Sequence, residues 1–364
     1  MKKIGIITIS GNYNYGNRLQ NYAMQEAYKK LGFEVETIWN TIAQNSEYKI
    51  PLFVKFKNII KPLFGKINYD KIRIERTQNF VNFTNSYINN SSYIINHDND
   101  NNSLNDMYDY FSVGSDQVWN YTFNIMSQIE FLNFADRDKT IAYAPSFGIS
   151  MIPKIMEDTY ISGLNHIKHL SVREDAGAKI IKNLTGRDAK VVLDPTMLLF
   201  KEDYEKIEKK PKADLSQKYI LLYFLGNINE KRKKEIEHLS QKYNLDVINI
   251  TDISDKCHTA GPDEFLYLFH HAELVLTDSF HACVFSVIYN KSFYVYDRDQ
   301  VMSNMNSRLE TFLGLLNLQN RKIHSLSDID DPFEKNYDEA NIIIADKREE
   351  SYDYLRNSLN INNA

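Results

Sequence analysis

The chain begins with one strand–helix–strand unit. Residues 4–9 form a short apolar run typical of a buried parallel strand. Residues 17–31 then place apolar side chains on one face at helical spacing, and Gly32 stands where such a helix ends. Residues 33–39 predict the second strand. The first forty residues therefore predict the start of a parallel α/β sheet.

Four later apolar runs end directly in polar residues. The predicted strands cover residues 108–113, 140–145, 169–172 and 191–193. They lead into Gly114-Ser115-Asp116, Ser146-Phe147-Gly148, Arg173-Glu174 and Asp194-Pro195-Thr196. Ligands of doubly wound sheets bind outside the carboxyl ends of the strands. The pattern therefore predicts a functional site at this edge.

A Lys- and Glu-rich stretch, residues 201–218, indicates a domain boundary, after which the alternation restarts. Strands are predicted at 219–225, 246–250, 274–276 and 293–296, with helices at 230–243, 262–272, 279–289 and 307–316. We predict an α/β protein of two Rossmann-like domains facing across a cleft. The first covers residues 1–200 and the second 201–345. A helix in 346–364 is expected to pack back on the first domain.

Two stretches of the first domain depart from the alternation. Residues 49–66 mix lysines with apolar residues at helical spacing, which predicts a basic amphipathic insertion. This insertion would either contact the inner membrane surface peripherally or pack its apolar face on the first domain. Residues 85–105 are rich in Asn and Ser, which predicts a solvent-exposed loop.

Composition excludes several classes of protein. With 43 Lys and Arg against 48 Asp and Glu, the net charge is −5, so no overall basic field attracts nucleic acid. The two cysteines, Cys257 and Cys283, lack metal-ligand spacing and cannot form a disulfide scaffold. Neither a signal peptide nor a membrane-spanning run is recognisable. We therefore expect a cytoplasmic protein, and the residues predict no metal site.

The segment Asp278-Ser279-Phe280-His281 is the main candidate site of the second domain. Ser279 could cap the following helix, whose free N–H groups and dipole would favour an anion such as phosphate. His281 would fall in the first turn, where it could bind a phosphate oxygen or transfer a proton. The alternative is an ordinary capped helix with a half-buried histidine.

Arginines near two other strand ends are candidates for gripping a carboxylate or phosphate. Arg173 could do so bidentately while Glu174 orients it, and Arg308 could do so from a helix beyond the last strand. The alternative for each is a surface ion pair.

Sugar or phosphate binding is the candidate role of two polar groups in the first domain. The loop that enters the first helix offers several donors, and Gly16 would permit a tight turn there. Beyond the third predicted strand, an indole could stack on a sugar ring while a carboxylate binds hydroxyls; a plain turn and a core tryptophan are the alternatives. The residues are Asn14, Gly16, Asn17, Arg18, Gln20, Asp116, Gln117 and Trp119.

An ordered set of segments resembles the polysaccharide pyruvyl transferase family. The segments are Tyr15-Gly16-Asn17-Arg18-Leu19-Gln20-Asn21-Tyr22-Ala23, Gly114-Ser115-Asp116-Gln117-Val118-Trp119-Asn120, Ser171-Val172-Arg173-Glu174, Leu193-Asp194-Pro195-Thr196, Gly261-Pro262-Asp263-Glu264-Phe265 and Thr277-Asp278-Ser279-Phe280-His281. They occur in the family's order over about residues 4 to 320. Each segment is modest alone, whereas the ordered set is specific.

The resemblance implies a fold like that of GT-B glycosyltransferases and transfer of pyruvate from phosphoenolpyruvate, a co-substrate, without a cofactor. The acceptor would be a hydroxyl pair of a surface glycan, such as a capsule or exopolysaccharide, or its lipid-linked precursor. The second domain would hold the donor and the first the acceptor.

Within that reading, His281 is expected to be the acid or main phosphate ligand, oriented by Asp278. Some members carry arginine where this chain has Ser279, and Arg173 and Arg308 are the candidate replacements. Two alternatives stay open: a GT-B glycosyltransferase that uses a nucleotide sugar, and an inactive glycan-binding relative.

Overall fold

Two parallel β-sheets form the framework of the protein. The computed structural model describes residues 1–41, 69–96, 101–123, 127–215, 218–298 and 307–361. The first sheet contains β1 (Lys3–Ile7), β2 (Glu34–Asn40), β3 (Asn90–Ile95), β4 (Tyr110–Val113), β5 (Thr140–Ala142), β6 (His169–Val172) and β7 (Lys190–Val191). The second contains β8 (Tyr219–Tyr223), β9 (Asp246–Asn249), β10 (Leu274–Thr277) and β11 (Ser292–Val295).

The strand orders are β3-β2-β1-β4-β5-β6-β7 and β11-β10-β8-β9, and every pairing is parallel. The order reverses between β1 and β4 and again between β8 and β10. Such reversals open a crevice at the carboxyl ends of the strands. The predicted α/β fold with two Rossmann-like, GT-B-like units is therefore confirmed.

Helices lie between the strands and, at the end of the described chain, after β11. They are α1 (Tyr15–Lys30), α2 (Tyr69–Tyr87), α3 (Glu157–His166), α4 (Asp175–Thr185), α5 (Lys201–Glu205), α6 (Glu230–Tyr243), α7 (Pro262–His271), α8 (Phe280–Ile288), α9 (Ser307–Leu315) and α10 (Asp338–Ser358). Local chemistry explains several ends. Asn14 accepts a hydrogen bond from the N–H of Asn17 to cap α1, and α7 starts with Pro262 at its first turn. Within the described chain, no helix is both long and apolar enough to cross a membrane.

The region predicted to be an exposed loop, residues 85–105, instead contains the edge strand β3. The strand was not predicted because its sequence is rich in polar residues, as a loop would be. In the fold, polar side chains of this region hydrogen-bond to neighbouring elements. The amide of Asn89 donates to the carbonyl of Val35, and the indole of Trp39 donates to Asn90. An edge strand tolerates such polar residues because only one side pairs in the sheet. The basic segment 49–66 lies outside the described residues.

Part of the space between the two sheet units is filled by a shared apolar core. Tyr15, the first residue of α1, stacks on Phe265 of α7 with ring centroids 4.5 Å apart. Its hydroxyl donates to the carbonyl of Ala260 at 2.8 Å, and Arg76 of α2 donates to both Tyr15 and the carbonyl of His258. The first unit is thus anchored to the second beside the residues predicted to form the site.

Helix α10 contacts both units. Near its start, Ala340 and Ile344 belong to the apolar cluster that also contains α7 and α8 residues. Near its end, Leu355 and the following Leu359 belong to the apolar cluster that also contains β1 residues, and the hydroxyl of Tyr110 donates to the carbonyl of Leu359. The helix begins eleven residues earlier than the sequence pattern suggested, at Asp338 rather than near 349. It therefore joins the two sheet units.

Candidate active site between the two sheets

Arg173 is the central cation of the site. It follows β6, is 5% exposed, and donates from Nη1 to Asp194 Oδ2 at 2.5 Å. Its Nη2 lies 3.5 Å from Asp116 Oδ1, and its guanidinium carbon lies 4.6 Å from the ring centroid of Phe280 in α8. Its buried Nε and Nη2 have no hydrogen-bond partner among the described residues. Two donor atoms of this cation are therefore buried without a hydrogen-bond partner, and one of them, Nη2, lies beside Asp116.

The surrounding carboxylates keep Arg173 charged. Burial by itself lowers the pKa of Arg173, but Asp194, Asp116 and Glu174 outweigh it and raise that pKa overall. Asp194 and Asp116 hold the guanidinium in place, so an anion that reaches it would meet a charged and already positioned cation.

Asp194 joins the charged groups of the site. Its Oδ1 accepts from the N–H of Thr196 at 3.0 Å and from its hydroxyl at 2.6 Å, while Oδ2 accepts from Arg173. Burial would raise the pKa of this carboxyl, but Arg173, His281 and the hydrogen bonds lower it overall. Asp194 is therefore an ionised, immobilised carboxylate.

His281 reaches the same cluster from the second unit. It lies in the first turn of α8, and its Nε2 is 3.8 Å from Asp194 Oδ2. Burial lowers the pKa of His281, the cations Arg173 and Arg308 lower it further, and Asp194 and Asp116 oppose the shift. Within the described structure Nε2 has no hydrogen-bond partner. His281 is therefore a neutral base in this state, beside groups that could stabilise its protonated form.

Gly16 lets α1 approach His281. A Cβ atom at position 16 would lie 2.1 Å from His281 Nδ1. The glycine is needed for this contact between the units and not for the tight turn expected from the sequence, because it lies inside α1.

Arg308 brings a second cationic side chain to the site, from α9. Burial and the nearby Arg173 lower its pKa to about 10, with Asp116 and Glu174 opposing the shift. Its buried Nε lacks a hydrogen-bond partner in the part of the chain that is described. A cavity of about 360 Å³ is lined by Arg173, Asp194, Phe280 and Arg308 together with residues of α10. The space suits a small anionic molecule.

Asp278 and Ser279 do not have the local roles expected from the sequence. Asp278 accepts from the N–H groups of Leu225 and Gly226, both at 2.7 Å, and from Arg298 Nε at 3.1 Å. It therefore fixes the turn after β8 rather than orienting His281. Ser279 occupies the N-cap position of α8, but its side chain makes no capping hydrogen bond.

Glu174 likewise holds a neighbouring loop. Its Oε1 accepts from the hydroxyl of Ser146 at 2.8 Å and from the N–H of Phe147 at 2.9 Å. The partner that orients Arg173 is Asp194, which the sequence reasoning did not single out as a site residue. The available signal was the acidic residue that follows the predicted strand at 191–193.

Several first-unit residues that were expected to bind a sugar instead hydrogen-bond to other residues of the first unit. Gln20 accepts from the N–H of Ser115 and donates to Thr8, and Gln117 accepts from Asn120. Trp119 is a core residue in the described structure: it is fully buried, and its indole donates to the carbonyl of Glu130. It has no exposed face for a sugar ring.

Arg18 differs from these scaffold residues because it is a buried cation. It donates to the carbonyl of Ile9 at 2.8 Å and to Asn17 Oδ1 at 2.7 Å, both neutral oxygens. Burial lowers its pKa to about 10, and Tyr13 and Asp116 oppose the shift. Arg173 and Arg308 thus line the cavity, while Asp116 lies beside Arg173 and His281 lies beside Asp194. Arg18 is electrostatically coupled to Asp116.

Fold and site define an α/β protein with an anion-suited polar cluster between two parallel sheets. A family model described as polysaccharide pyruvyl transferase matches residues 14–300, and the chain belongs to that family. A comparison with curated protein sequences found no match.

Several solved structures are similar to the chain in fold. UDP-GlcNAc 2-epimerase from Methanocaldococcus jannaschii is 12% identical with a TM-score of 0.45, covering 94% of this chain and 98% of that one. The epimerase from Rickettsia bellii is 12% identical with a TM-score of 0.42, covering 98% of each chain. The Streptomyces sp. SF2575 glycosyltransferase SsfS6 is 10% identical with a TM-score of 0.41, covering 98% and 99%.

Proposed function

We propose that the protein transfers the pyruvyl group of phosphoenolpyruvate to a hydroxyl pair of a surface polysaccharide or of its lipid-linked precursor. Family membership supports pyruvyl transfer to a glycan. The observation that supports phosphoenolpyruvate as donor is Arg173, a buried cation that lines a half-open cavity and has two donor atoms without a hydrogen-bond partner in the described structure. Arg308 adds a second cation from the opposite unit. A donor with one carboxylate and one phosphate needs two such partners.

The reaction requires a proton on the donor's methylene carbon. That proton makes the adjacent carbon electrophilic, a sugar hydroxyl adds to it and loses its own proton, and the carbon–phosphate oxygen bond breaks. The second hydroxyl then adds to the same carbon and closes the ketal as its proton leaves. The products are the cyclic ketal and inorganic phosphate, and a general acid with a base nearby satisfies the proton balance.

His281 is the proposed general acid. Its pKa is lowered in the free protein, so it must gain a proton when the donor binds. A phosphate close to the ring would favour the imidazolium and raise that pKa, because an opposite charge stabilises the charged form. Donor binding would thereby load the acid that the first step uses.

Asp194 is proposed as a positioning residue. It holds Arg173 at 2.5 Å and faces His281 Nε2 at 3.8 Å, so one carboxylate sets the place of both groups. The acceptor would enter from the first unit, with Asp116 as candidate base. Tyr13, 59% exposed just before α1, offers the accessible aromatic ring that Trp119 does not.

The experiment is a product assay with purified protein, phosphoenolpyruvate and a panel of lipid-linked and aryl glycosides. Phosphate release and a product heavier by one pyruvyl group, both lost in His281→Ala, are expected. Transfer from a nucleotide sugar would instead favour a glycosyltransferase. Glycan binding without consumption of any donor would favour the inactive relative.

A further inference from the structure

A second cluster of potential ligands lies away from the cavity, where the connection between the two sheet units meets the end of α7. It consists of Glu208, which follows α5, and His270 and His271, the last two residues of α7. One ligand atom from each side chain lies within 4.8 Å of the other two. The proposed transfer chemistry does not use any of these residues.

The hydrogen bonds of the cluster leave suitable lone pairs. His271 Nδ1 lies 3.0 Å from the carbonyl of Tyr267, which can only accept, so this nitrogen carries the proton and Nε2 carries the lone pair. His270 Nδ1 lies 2.9 Å from Glu208 Oε2, and its Nε2 lies 3.6 Å from Glu205 Oε1. An ion could replace the proton between Nδ1 and Glu208, leaving Glu205 to accept from Nε2–H as an outer partner.

Ring packing holds both imidazoles in place. His270 stacks on Tyr289, with centroids 4.7 Å apart and planes 9° apart, and His271 stacks on Tyr267 at 3.9 Å and 18°. Zinc bonds to nitrogen and carboxylate oxygen are about 2.0–2.2 Å, so a tetrahedral ion needs ligand atoms about 3.4 Å apart. Movements of about 1 Å or less per side chain would suffice from the present distances.

We propose that Glu208, His270 and His271 form a binding site for a zinc-class divalent cation. Two imidazoles and one carboxylate suit zinc and its transition-metal neighbours, whereas calcium and magnesium prefer oxygen ligands. The negative end of the α7 dipole favours a cation at this position. His271 is exposed and Glu208 and His270 are half-buried, so an ion can reach all three.

The position of the site gives the ion a structural role. Residues 205–208 belong to the connection between the first and second sheets, and the N–H of Lys209 donates to Asp263 at the other end of α7. That end is also where Tyr15 of the first unit bonds the carbonyl of Ala260. An ion bound by Glu208, His270 and His271 would hold the segment between the two sheets against the C-terminal end of α7 as well. It would thereby stabilise the arrangement of the two units.

The test is calorimetric titration of zinc chloride into chelator-treated full-length protein, with thermal unfolding in parallel. We expect one equivalent of zinc to bind and the unfolding midpoint to rise by about 3 °C at saturating metal. His271→Ala and Glu208→Gln should weaken binding by at least about tenfold and remove the rise. Magnesium chloride should give neither signal.

His238→Ala is the matched control, because His238 is an exposed helical histidine on α6, outside the cluster. It should bind zinc as the wild type does. Without metal, His271→Ala and the wild type should unfold at the same temperature, which separates metal binding from ordinary packing. Absence of zinc binding by the wild type, or unchanged binding by both cluster variants, would overturn the proposal.

Discussion

Two buried aspartates near the carboxyl ends of the two sheets show how similar positions take different roles. Asp278 follows β10, and its oxygens are occupied by the N–H groups of Leu225 and Gly226 and by Arg298. Asp194 follows β7, binds Arg173 of its own unit and lies 3.8 Å from His281 of the other. The first aspartate stabilises a turn inside one unit, whereas the second lies between ionisable groups of both units.

The comparison explains where a ligand can act. A carboxylate such as Asp278, whose hydrogen bonds are all local, stabilises the fold, but in the described part of the chain its neighbours leave no polar atom without a partner for a ligand to bind. The Asp194 cluster contains Arg173 with two unfilled donors and His281 with one unfilled nitrogen, all buried. Such groups are costly to leave unpaired, so an anionic substrate that fills them gains binding free energy.

Removing the cation of this cluster is expected to have the largest effect. Arg173→Ala should lower phosphoenolpyruvate-dependent turnover by about 10³-fold, the loss typical of a key electrostatic donor. Arg173→Lys should recover only part of the activity, because an ammonium cannot donate bidentately to a carboxylate or phosphate. Phosphate release by variants with verified thermal midpoints measures this, and wild-type kcat/KM in Arg173→Lys would contradict the account.

The paired variants Asp194→Asn and Asp278→Asn test the two roles directly. Asp194→Asn removes a negative charge that raises the pKa of His281, so the activity profile should move to lower pH and turnover should fall about 100-fold. Asp278→Asn should cost about 1.5–3 kcal/mol of unfolding free energy through its charge-assisted hydrogen bonds. Its pH profile should stay in place. Equal shifts in both profiles would remove the distinction.

Gly16→Ala tests the contact that brings the two units together at His281. The added methyl would lie 2.1 Å from Nδ1, so the ring or α1 must move at a cost of about 1–3 kcal/mol. Activity should fall with stability. Gly314→Ala is the control for stability only, because Gly314 lines the cavity. Its methyl would enter open space inside α9 and should leave stability unchanged or slightly raised. Similar stability of the two variants would show that the contact at Gly16 is unimportant.

The smallest effect concerns pH. Because the pKa of His281 is lowered in the free protein, donor binding should take up a proton over the interval between that value and the raised value of the complex. Affinity for phosphoenolpyruvate should then fall by up to about tenfold per pH unit as pH rises through that interval. The lowered pKa also affects folding. As pH falls from the ordinary histidine pKa towards the lowered value, the unfolded chain binds a proton more readily than the folded protein, so the free energy of unfolding decreases. Affinity measured by calorimetry across pH checks the first statement, and a pH-independent affinity contradicts it.

The fold was largely predictable because buried parallel strands are nearly continuous apolar runs. Residues 274–276 and 293–296, for example, became β10 and β11 with shifts of one residue. The strand β3 was missed because Asn90 and its polar neighbours satisfy their side chains through hydrogen bonds that only the folded sheet provides. Sequence pattern cannot distinguish such an edge strand from a loop.

The sequence predicted which types of residue form the site, but not which of these residues contact one another. Arg173 and His281 were identifiable because they stand at a strand end and a helix start, where ligands bind. The approach of Asp194 to His281 and the contact of Gly16 with His281 depend on how the two units pack against each other. Trp119 illustrates the reverse error, since a buried indole and a sugar-binding indole have the same sequence signature.

The most direct test of the central claim is calorimetric titration of phosphoenolpyruvate into wild-type protein and Arg173→Lys, repeated in buffers with different ionisation enthalpies. The account predicts one donor molecule per chain, proton uptake on binding, and affinity at least about tenfold weaker in the variant. Binding of equal strength in both proteins, or no binding beside clear binding of a nucleotide sugar, would contradict the claim that this cluster is a phosphoenolpyruvate site.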